Sequence, residues 1–231
     1  MANQFHQRKI ILTDDGSYSV LLPNHQVSYH SKHGAIQESK HVFIDSGLKP
    51  ILKEKKIIHA FEMGFGTGLN ALLTLIETEK ENAKIHYTAF EAYPLDMSDA
   101  EKLNYCQQLQ VPSMQNFFIQ MHSSAWNAET MITADFFLHK ILGDFTTYDP
   151  RIQFDLVYFD AFDPSFQPEL WTALIFRKIH AMMNPGGVLV TYSSRKSVRN
   201  AMEEAGFAVS KLPGPPHKRE IVKAIALSVD S

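Results

Sequence analysis

The sequence predicts an α/β fold: a mostly parallel seven-stranded sheet with an antiparallel last strand, carrying a small N-terminal β-hairpin appendage. Two observations predict the sheet. From residue 57 onward, short apolar runs alternate with helix-length amphipathic segments, the pattern of a parallel sheet covered on both faces. The last two strands, Phe207 to Leu212 and Ile221 to Leu227, are separated only by Pro213 to Glu220, too short for a crossover helix, so they pair antiparallel. A third observation predicts the appendage: Lys9 to Leu12 and Tyr18 to Leu22 flank Asp15-Gly16, a hairpin turn.

Taken in order, Ala35 to Leu48 reads as a helix stopped by Gly47 and Pro50. Ile57 to Phe61 is a strand feeding a glycine turn and the helix Leu69 to Glu79. Strand Ile85 to Phe90, a helix near Ser98 to Leu109 and strand Phe117 to Met121 follow. Further strands fit Ile132 to Leu142 and Phe154 to Phe159, then a helix Pro168 to Met183 with proline in its first turn. Strand Val188 to Tyr192 and helix Arg195 to Glu204 lead to the final pair. The expected division is an extension over 1–50 packed on a catalytic domain over 51–231.

Composition narrows the function classes. With 45% hydrophobic and 20% charged residues the chain is globular, and its single cysteine, Cys106, excludes an internal disulfide or a thiolate metal cluster. Met1 to Ile10 has no apolar leader core, and no apolar stretch spans a bilayer, so a cytoplasmic protein without membrane contact is expected. The net charge of −3 gives no global attraction to nucleic acid.

The sharpest local signal is Glu62-Met63-Gly64-Phe65-Gly66-Thr67-Gly68 at a strand-to-helix turn, where the backbone must bend and approach a ligand without Cβ atoms in the way. A dinucleotide fingerprint needs G-x-G-x-x-G, but position 69 is Leu69; a P-loop needs Gly-Lys-Ser/Thr, but Leu69-Asn70 follows Gly68. Glu91 closes the next strand and faces the crevice outside the strand ends, where a carboxylate accepts both ribose hydroxyls. Gly143-Asp144-Phe145 ends another strand and places Asp144 by an adenine amino group. Each acid alone is an ordinary solvated loop residue; in this order along a Rossmann-like sheet they predict an S-adenosylmethionine site, with S-adenosylhomocysteine as product.

Asp160 ends the strand Phe154 to Phe159, within Asp160-Ala161-Phe162-Asp163-Pro164. A carboxylate there suits an amine nucleophile, holding it by hydrogen bond and accepting its proton, although the same charge raises the amine pKa. Asp163, before proline, reads more simply as a turn-stabilising residue. Trp171 reads as core, and His30 with His33 lacks companion metal ligands, so no metal is expected.

The segments Val27-Ser28-Tyr29-His30-Ser31-Lys32-His33-Gly34-Ala35, Glu38-Ser39 and Val42-Phe43 resemble the methyltransferase domain of the bacterial tRNA 5-methylaminomethyl-2-thiouridine biosynthesis enzymes and its stand-alone relatives. So do Gly64 to Asn70, Phe159-Asp160-Ala161-Phe162 with Pro164, Pro168 and Leu170-Trp171-Thr172, and Lys218-Arg219-Glu220; the family often has glycine where Ala161 stands. The resemblance implies N-methylation of the aminomethyl group of a wobble uridine in the tRNA anticodon loop, with Asp160 beside the amine. It implies cofactor contacts from Tyr29, Ser31, Glu62, Gly64, Gly66, Gly68, Asn70, Glu91 and Asp144, and substrate contacts from Phe162, Lys218 and Arg219. Fused relatives carry an FAD oxidoreductase that exposes the amine. No second glycine fingerprint is present here, so no FAD is expected, and upstream wobble-uridine enzymes supply the amine.

Basic groups on the helix Arg195 to Glu204 (Arg195, Lys196, Arg199) and at Lys218-Arg219 are candidate phosphate contacts or solvated faces. Two other functions fit the pattern. Aminopropyl transfer to a polyamine would use the Asp160/Asp163 pair but expects an acid inside the glycine turn; a silent RNA- or protein-binding module would keep the fold without turnover.

Overall fold

The structure, a computed structural model, describes residues 7–148 and 152–228. Three short strands come first, β1 (Lys9–Leu12), β2 (Tyr18–Leu22) and β3 (Val27–Ser28), paired antiparallel in that order. The hairpin turn is where the Asp-Gly signal put it. Asp15 Oδ1 accepts from Thr13 Oγ1 and the Ser17 N–H, and Gly16 sits at φ +80°. The two-residue β3, too short to show a period, turns the expected hairpin into a small sheet.

The helix expected over 35–48 is longer and of mixed pitch. α1 (Ala35–Ser39) continues through a π-helical stretch, Lys40–Leu48, into α2 (Lys49–Leu52). Gly47 is therefore not a stop. A Cβ there would lie 2.9 Å from Val190 Cγ2 and 3.3 Å from Leu156 Cδ1, so the glycine lets the helix settle on the sheet. Pro50 falls in the first turn of α2, where a missing N–H is tolerated. Gly47→Leu is expected to destabilise the chain by roughly 1–3 kcal/mol through overpacking, read as a lower urea midpoint at an unchanged slope.

The remaining elements alternate. They are β4 (Ile57–Met63), α3 (Leu69–Glu81), β5 (Lys84–Glu91), α4 (Met97–Ala100), α5 (Tyr105–Gln108) and α6 (Gln115–Ser123). Then come β6 (Ala128–Thr133), β7 (Phe136–Leu142), β8 (Phe154–Phe159), α7 (Ala173–Ala181), β9 (Met183–Thr191), α8 (Lys196–Glu204), β10 (Phe207–Pro213) and β11 (Glu220–Ala226). The main sheet runs β10-β11-β9-β8-β4-β5-β7-β6. Strands β9, β8, β4, β5 and β7 pair in parallel, and the last strand, β11, lies antiparallel between β9 and β10, as the short 213–220 connection required.

Four local expectations change. The helix expected near 98–109 is the two short helices α4 and α5, and the helix expected over 168–183 is a 3-10 turn, Pro168–Trp171, followed by α7, with Met183 already in β9. Phe117 to Met121 is helical: Phe118, Met121 and His122 are its buried residues, at helical spacing, and a short apolar run does not separate helix from strand by itself. The single strand expected over 132–142 is the hairpin β6–β7, so the sheet has eight strands. Strand β8 is buried along its whole length, as a central strand between two helical layers must be. One apolar cluster packs residues of α1 to α3 (Val42, Phe43, Leu72) on one face; another packs α7 and α8 (Phe176, Ile179, Met202) on the other. With both faces covered, the carboxyl ends of β4, β5, β7 and β8 are left to form a crevice.

Candidate active site

The glycine turn is tied to the sheet by its own backbone. Gly64 and Phe65 N–H both donate to Phe90 O, at 2.9 and 3.2 Å, which draws the turn toward the end of β5. Gly64 (φ +94°) passes so close to β8 that a Cβ would sit 3.0 Å from Asp160 O; at Gly68 (φ +72°) it would meet His122 Nε2 at 2.8 Å. His122 Nε2 bonds Thr67 O at 3.0 Å and so supports the turn from below. Beneath it lies Lys140, 0% exposed, whose Nζ donates to His122 O at 2.7 Å and stands 4.5 Å over the Trp126 ring. Burial pushes the Lys140 pKa down to about 8 and that of His122 to about 4, so His122 stays neutral near pH 7.

Glu91 closes the turn from β5. Its Oε2 accepts from Gly66 N–H at 2.9 Å and its Oε1 from Tyr93 N–H at 2.8 Å, which fixes the carboxylate at the crevice wall. Arg8, immediately before β1, holds the same corner, donating to Tyr93 O (2.7 Å) and Pro94 O (2.8 Å). Tyr29 packs edge-on against Phe162, ring centroids 4.9 Å apart, over Gly66.

At the floor stands a pair of acids bridged by an amide. Asn70 Nδ2 donates to Asp160 Oδ2 at 2.8 Å and to Glu62 Oε1 at 3.0 Å, using both its hydrogens. Glu62 is 1% exposed; its Oε2 and Asn70 Oδ1 are buried acceptors without a partner among the described residues. Burial, with the Asp160 charge, holds the Glu62 carboxyl well above its ordinary range. Asp160 is raised well above its own range by burial and the Glu38 charge, while its Asn70 hydrogen bond and the Lys218 ammonium oppose that shift.

These groups surround a cavity of about 730 Å3, whose walls include Tyr29, Ser31, Gly64, Gly66, Asn70, Glu91, Asp144, Asp160, Phe162 and Lys218. Those ten predicted residues thus meet in one place. Three others do not line it. Gly68 and Glu62 lie behind the wall, the first shaping the turn and the second holding Asn70; Arg219 is exposed on the β10–β11 loop, its carbonyl accepting from Gly214 N–H.

The ordinary alternatives hold at several other positions. Asp163 caps its own turn through Ser165 N–H (2.8 Å) and is bonded by Arg195 at 2.8 and 3.1 Å, which removes that arginine from the free basic face. Trp171 is core, packed on Phe159 at 4.8 Å, with Nε1 donating to Phe162 O. His30 is half-buried, its Nδ1 3.1 Å from Ser19 Oγ.

Sequence reasoning missed Glu38, Tyr192 and Gln167 as cavity residues and Arg8 as the support of the corner beside Glu91. Glu38 was visible in the Glu-Ser block but unreadable as a site residue, because its partner Lys218 lies 180 positions away.

Comparison with known proteins agrees with this geometry. A family described as S-adenosyl-L-methionine-dependent methyltransferase matches residues 105–226. A tRNA 5-methylaminomethyl-2-thiouridine biosynthesis bifunctional protein MnmC from Ralstonia nicotianae is 29% identical over 216 residues, 85% of this chain and 31% of its own. The corresponding Pseudomonas putida protein is 29% identical over 207 residues, 84% of this chain and 31% of its own. The chain thus spans about a third of the length of these curated relatives. The crystal structure of MNMC2 from Aquifex aeolicus superposes with a TM-score of 0.78 at 25% identity, covering 97% of this chain and 71% of that one. Spermidine synthase from Thermotoga maritima, at TM-score 0.59 and 12% identity over 97% of this chain and 71% of its own, shares the fold alone. With the family match covering more than half of its length, and the glycine turn and strand-end acids gathered around one cavity, the chain belongs to the S-adenosyl-L-methionine-dependent methyltransferases, with an MnmC-type methyltransferase domain.

Proposed function

We propose that the chain transfers a methyl group from S-adenosylmethionine to the aminomethyl nitrogen of 5-aminomethyl-2-thiouridine at the tRNA wobble position, giving 5-methylaminomethyl-2-thiouridine. The observation that carries the reading is Asp160, held by Asn70 at the cavity floor beside the glycine turn. In this reading residues 1–50 are an extension that completes the walls of a catalytic domain formed by 51–231.

The residues fit the donor. Glu91 offers acceptors for ribose hydroxyls, Asp144 lies just beyond the end of β7 for an adenine amine, and an α-ammonium supplies the donor that Asn70 Oδ1 lacks at the cavity wall. Gly64, Gly66 and Gly68 shape the turn against it, with Tyr29 and Ser31 as the opposing wall. When bound, S-adenosylmethionine supplies an electrophilic methyl on a sulfonium: the amine lone pair forms the N–C bond and the C–S pair returns to sulfur.

The chain's own residues do the rest. Asp160 hydrogen-bonds the amine and takes its proton, directly or through water, and burial, by raising its proton affinity above that of an ordinary carboxylate, strengthens it as an acceptor. The Tyr29 and Phe162 rings exclude water and present faces on which the uracil stacks. The tRNA anticodon loop is the partner in this reading, reached without membrane contact in the cytoplasm. The amine comes from an upstream wobble-uridine enzyme, with no FAD or metal in the methylation itself.

The deciding experiment is nucleoside mass spectrometry of tRNA from a deletion strain. Accumulated 5-aminomethyl-2-thiouridine that the purified protein and S-adenosylmethionine convert to the methylated nucleoside supports the reading; an unchanged nucleoside profile ends it. Methyl-labelled donor separates the aminopropyl alternative, which would leave tRNA unlabelled and produce spermidine from decarboxylated donor.

A further inference from the structure

Lys218 was expected at a tRNA phosphate, yet its ammonium is already engaged. Nζ donates to Glu38 Oε1 at 2.6 Å and stands 4.5 Å from the centre of the Tyr192 ring, leaving the side chain 30% exposed. Glu38, 12% exposed, is fixed in turn, because its Oε2 accepts the Ser31 N–H at 2.9 Å. Tyr192 is anchored by donating its hydroxyl hydrogen to Ala161 O at 2.9 Å, one residue from Asp160. The cation and the second carboxylate thus reach the wall of Asp160's cavity from two distant parts of the chain, α1 and the β10–β11 loop.

We propose that Glu38 and Lys218 form a charge pair that positions and tunes Asp160 as proton acceptor, Lys218 serving this pair and not a tRNA phosphate. This rests on the methyl-transfer reading for its meaning in catalysis, though not for its test. A negative charge nearby disfavours a second one and a positive charge favours it, so Glu38 raises the proton affinity of Asp160 and Lys218 limits the rise. Other titratable groups about Asp160 are Glu62, reached through Asn70 from β4 and α3, Tyr87 from β5 and Tyr192 after β9; Asp163, on the same loop as Asp160, is engaged by Arg195. The pair holds opposite signs, so removing its two members has opposite consequences. That property separates a tuning role from a merely structural one.

The test is a carboxyl-carbon NMR titration of the intact protein without ligands, with the Asp160 signal assigned by its loss in Asp160→Asn. Glu38→Gln is expected to move the Asp160 midpoint down and Lys218→Met to move it up, each by about half a pH unit or more. Where wild-type protein methylates tRNA, the acid limb of kcat/KM follows the same two directions, and KM for tRNA in Lys218→Met keeps its wild-type salt dependence. Midpoints that stay put or move together in both variants overturn the proposal. So does a Lys218→Met salt slope reduced by about one, the mark of a lost phosphate contact. Lys218→Arg, which keeps the charge, is expected to retain the wild-type midpoint. Absence of methyl transfer by wild-type protein would instead count against the functional reading, leaving the NMR result to stand by itself.

Discussion

Asp160→Asn is expected to lose roughly 100- to 10,000-fold in kcat, the range of a removed general base, while binding S-adenosylmethionine with near-normal affinity. The same variant is expected to be more stable than wild type. Asparagine keeps an acceptor for Asn70 Nδ2 but never carries the charge that this buried site disfavours. The sign follows from linkage. Because the folded-state carboxyl titrates above its unfolded value, the folded chain binds the extra proton, a contribution fully present below the unfolded pKa and lost as pH rises through the folded one. The melting temperature of Asp160→Asn should therefore gain on wild type as pH rises through that window, and calorimetry at a series of pH values reads it directly. Glu62→Gln is expected to show the same sign, since its carboxyl is raised as well. A stability difference that shrinks with rising pH, or a variant that turns over normally, would remove Asp160 from the proton-accepting role.

Glu91→Ala is expected to weaken S-adenosylmethionine binding about 10- to 100-fold, the equivalent of losing charge-assisted hydrogen bonds of roughly 1.5–3 kcal/mol. At saturating donor its kcat should stay within a few-fold of wild type. Glu91 also accepts the Gly66 and Tyr93 N–H groups, so part of the loss comes from a looser turn. Glu91→Gln, which keeps an acceptor oxygen at the turn, separates the two contributions. Isothermal titration of the three proteins decides it. An affinity loss in Asp160→Asn equal to that in Glu91→Ala would show that the two acids do not divide binding from chemistry.

Much of this arrangement was legible residue by residue. The glycine turn was recognisable because its spacing matches neither phosphate-binding pattern, and Glu91, Asp144 and Asp160 because each follows a readable strand. The antiparallel last strand followed from the short 213–220 connection. Illegible were features whose cause lies across the fold. Gly47 reads as a helix stop locally but is set by Val190 and Leu156 on the sheet. The run at 117–121 has no strand neighbour to pair with and places Phe118 and Met121 in the core as a helix instead.

The sequence by itself determined the alternation of strands and helices over most of the chain, the ligand-approaching turn and the acids that end the strands, because backbone preference and hydrophobic period are local properties written in consecutive residues. Only the tertiary structure decided the charges those acids carry. It buried Glu62 and Asp160 around one asparagine, brought Glu38 against Lys218, and drew Arg8 onto the corner beside Glu91. Proton affinity depends on desolvation and on charges a few ångströms away, and those neighbours come from residues far apart along the chain.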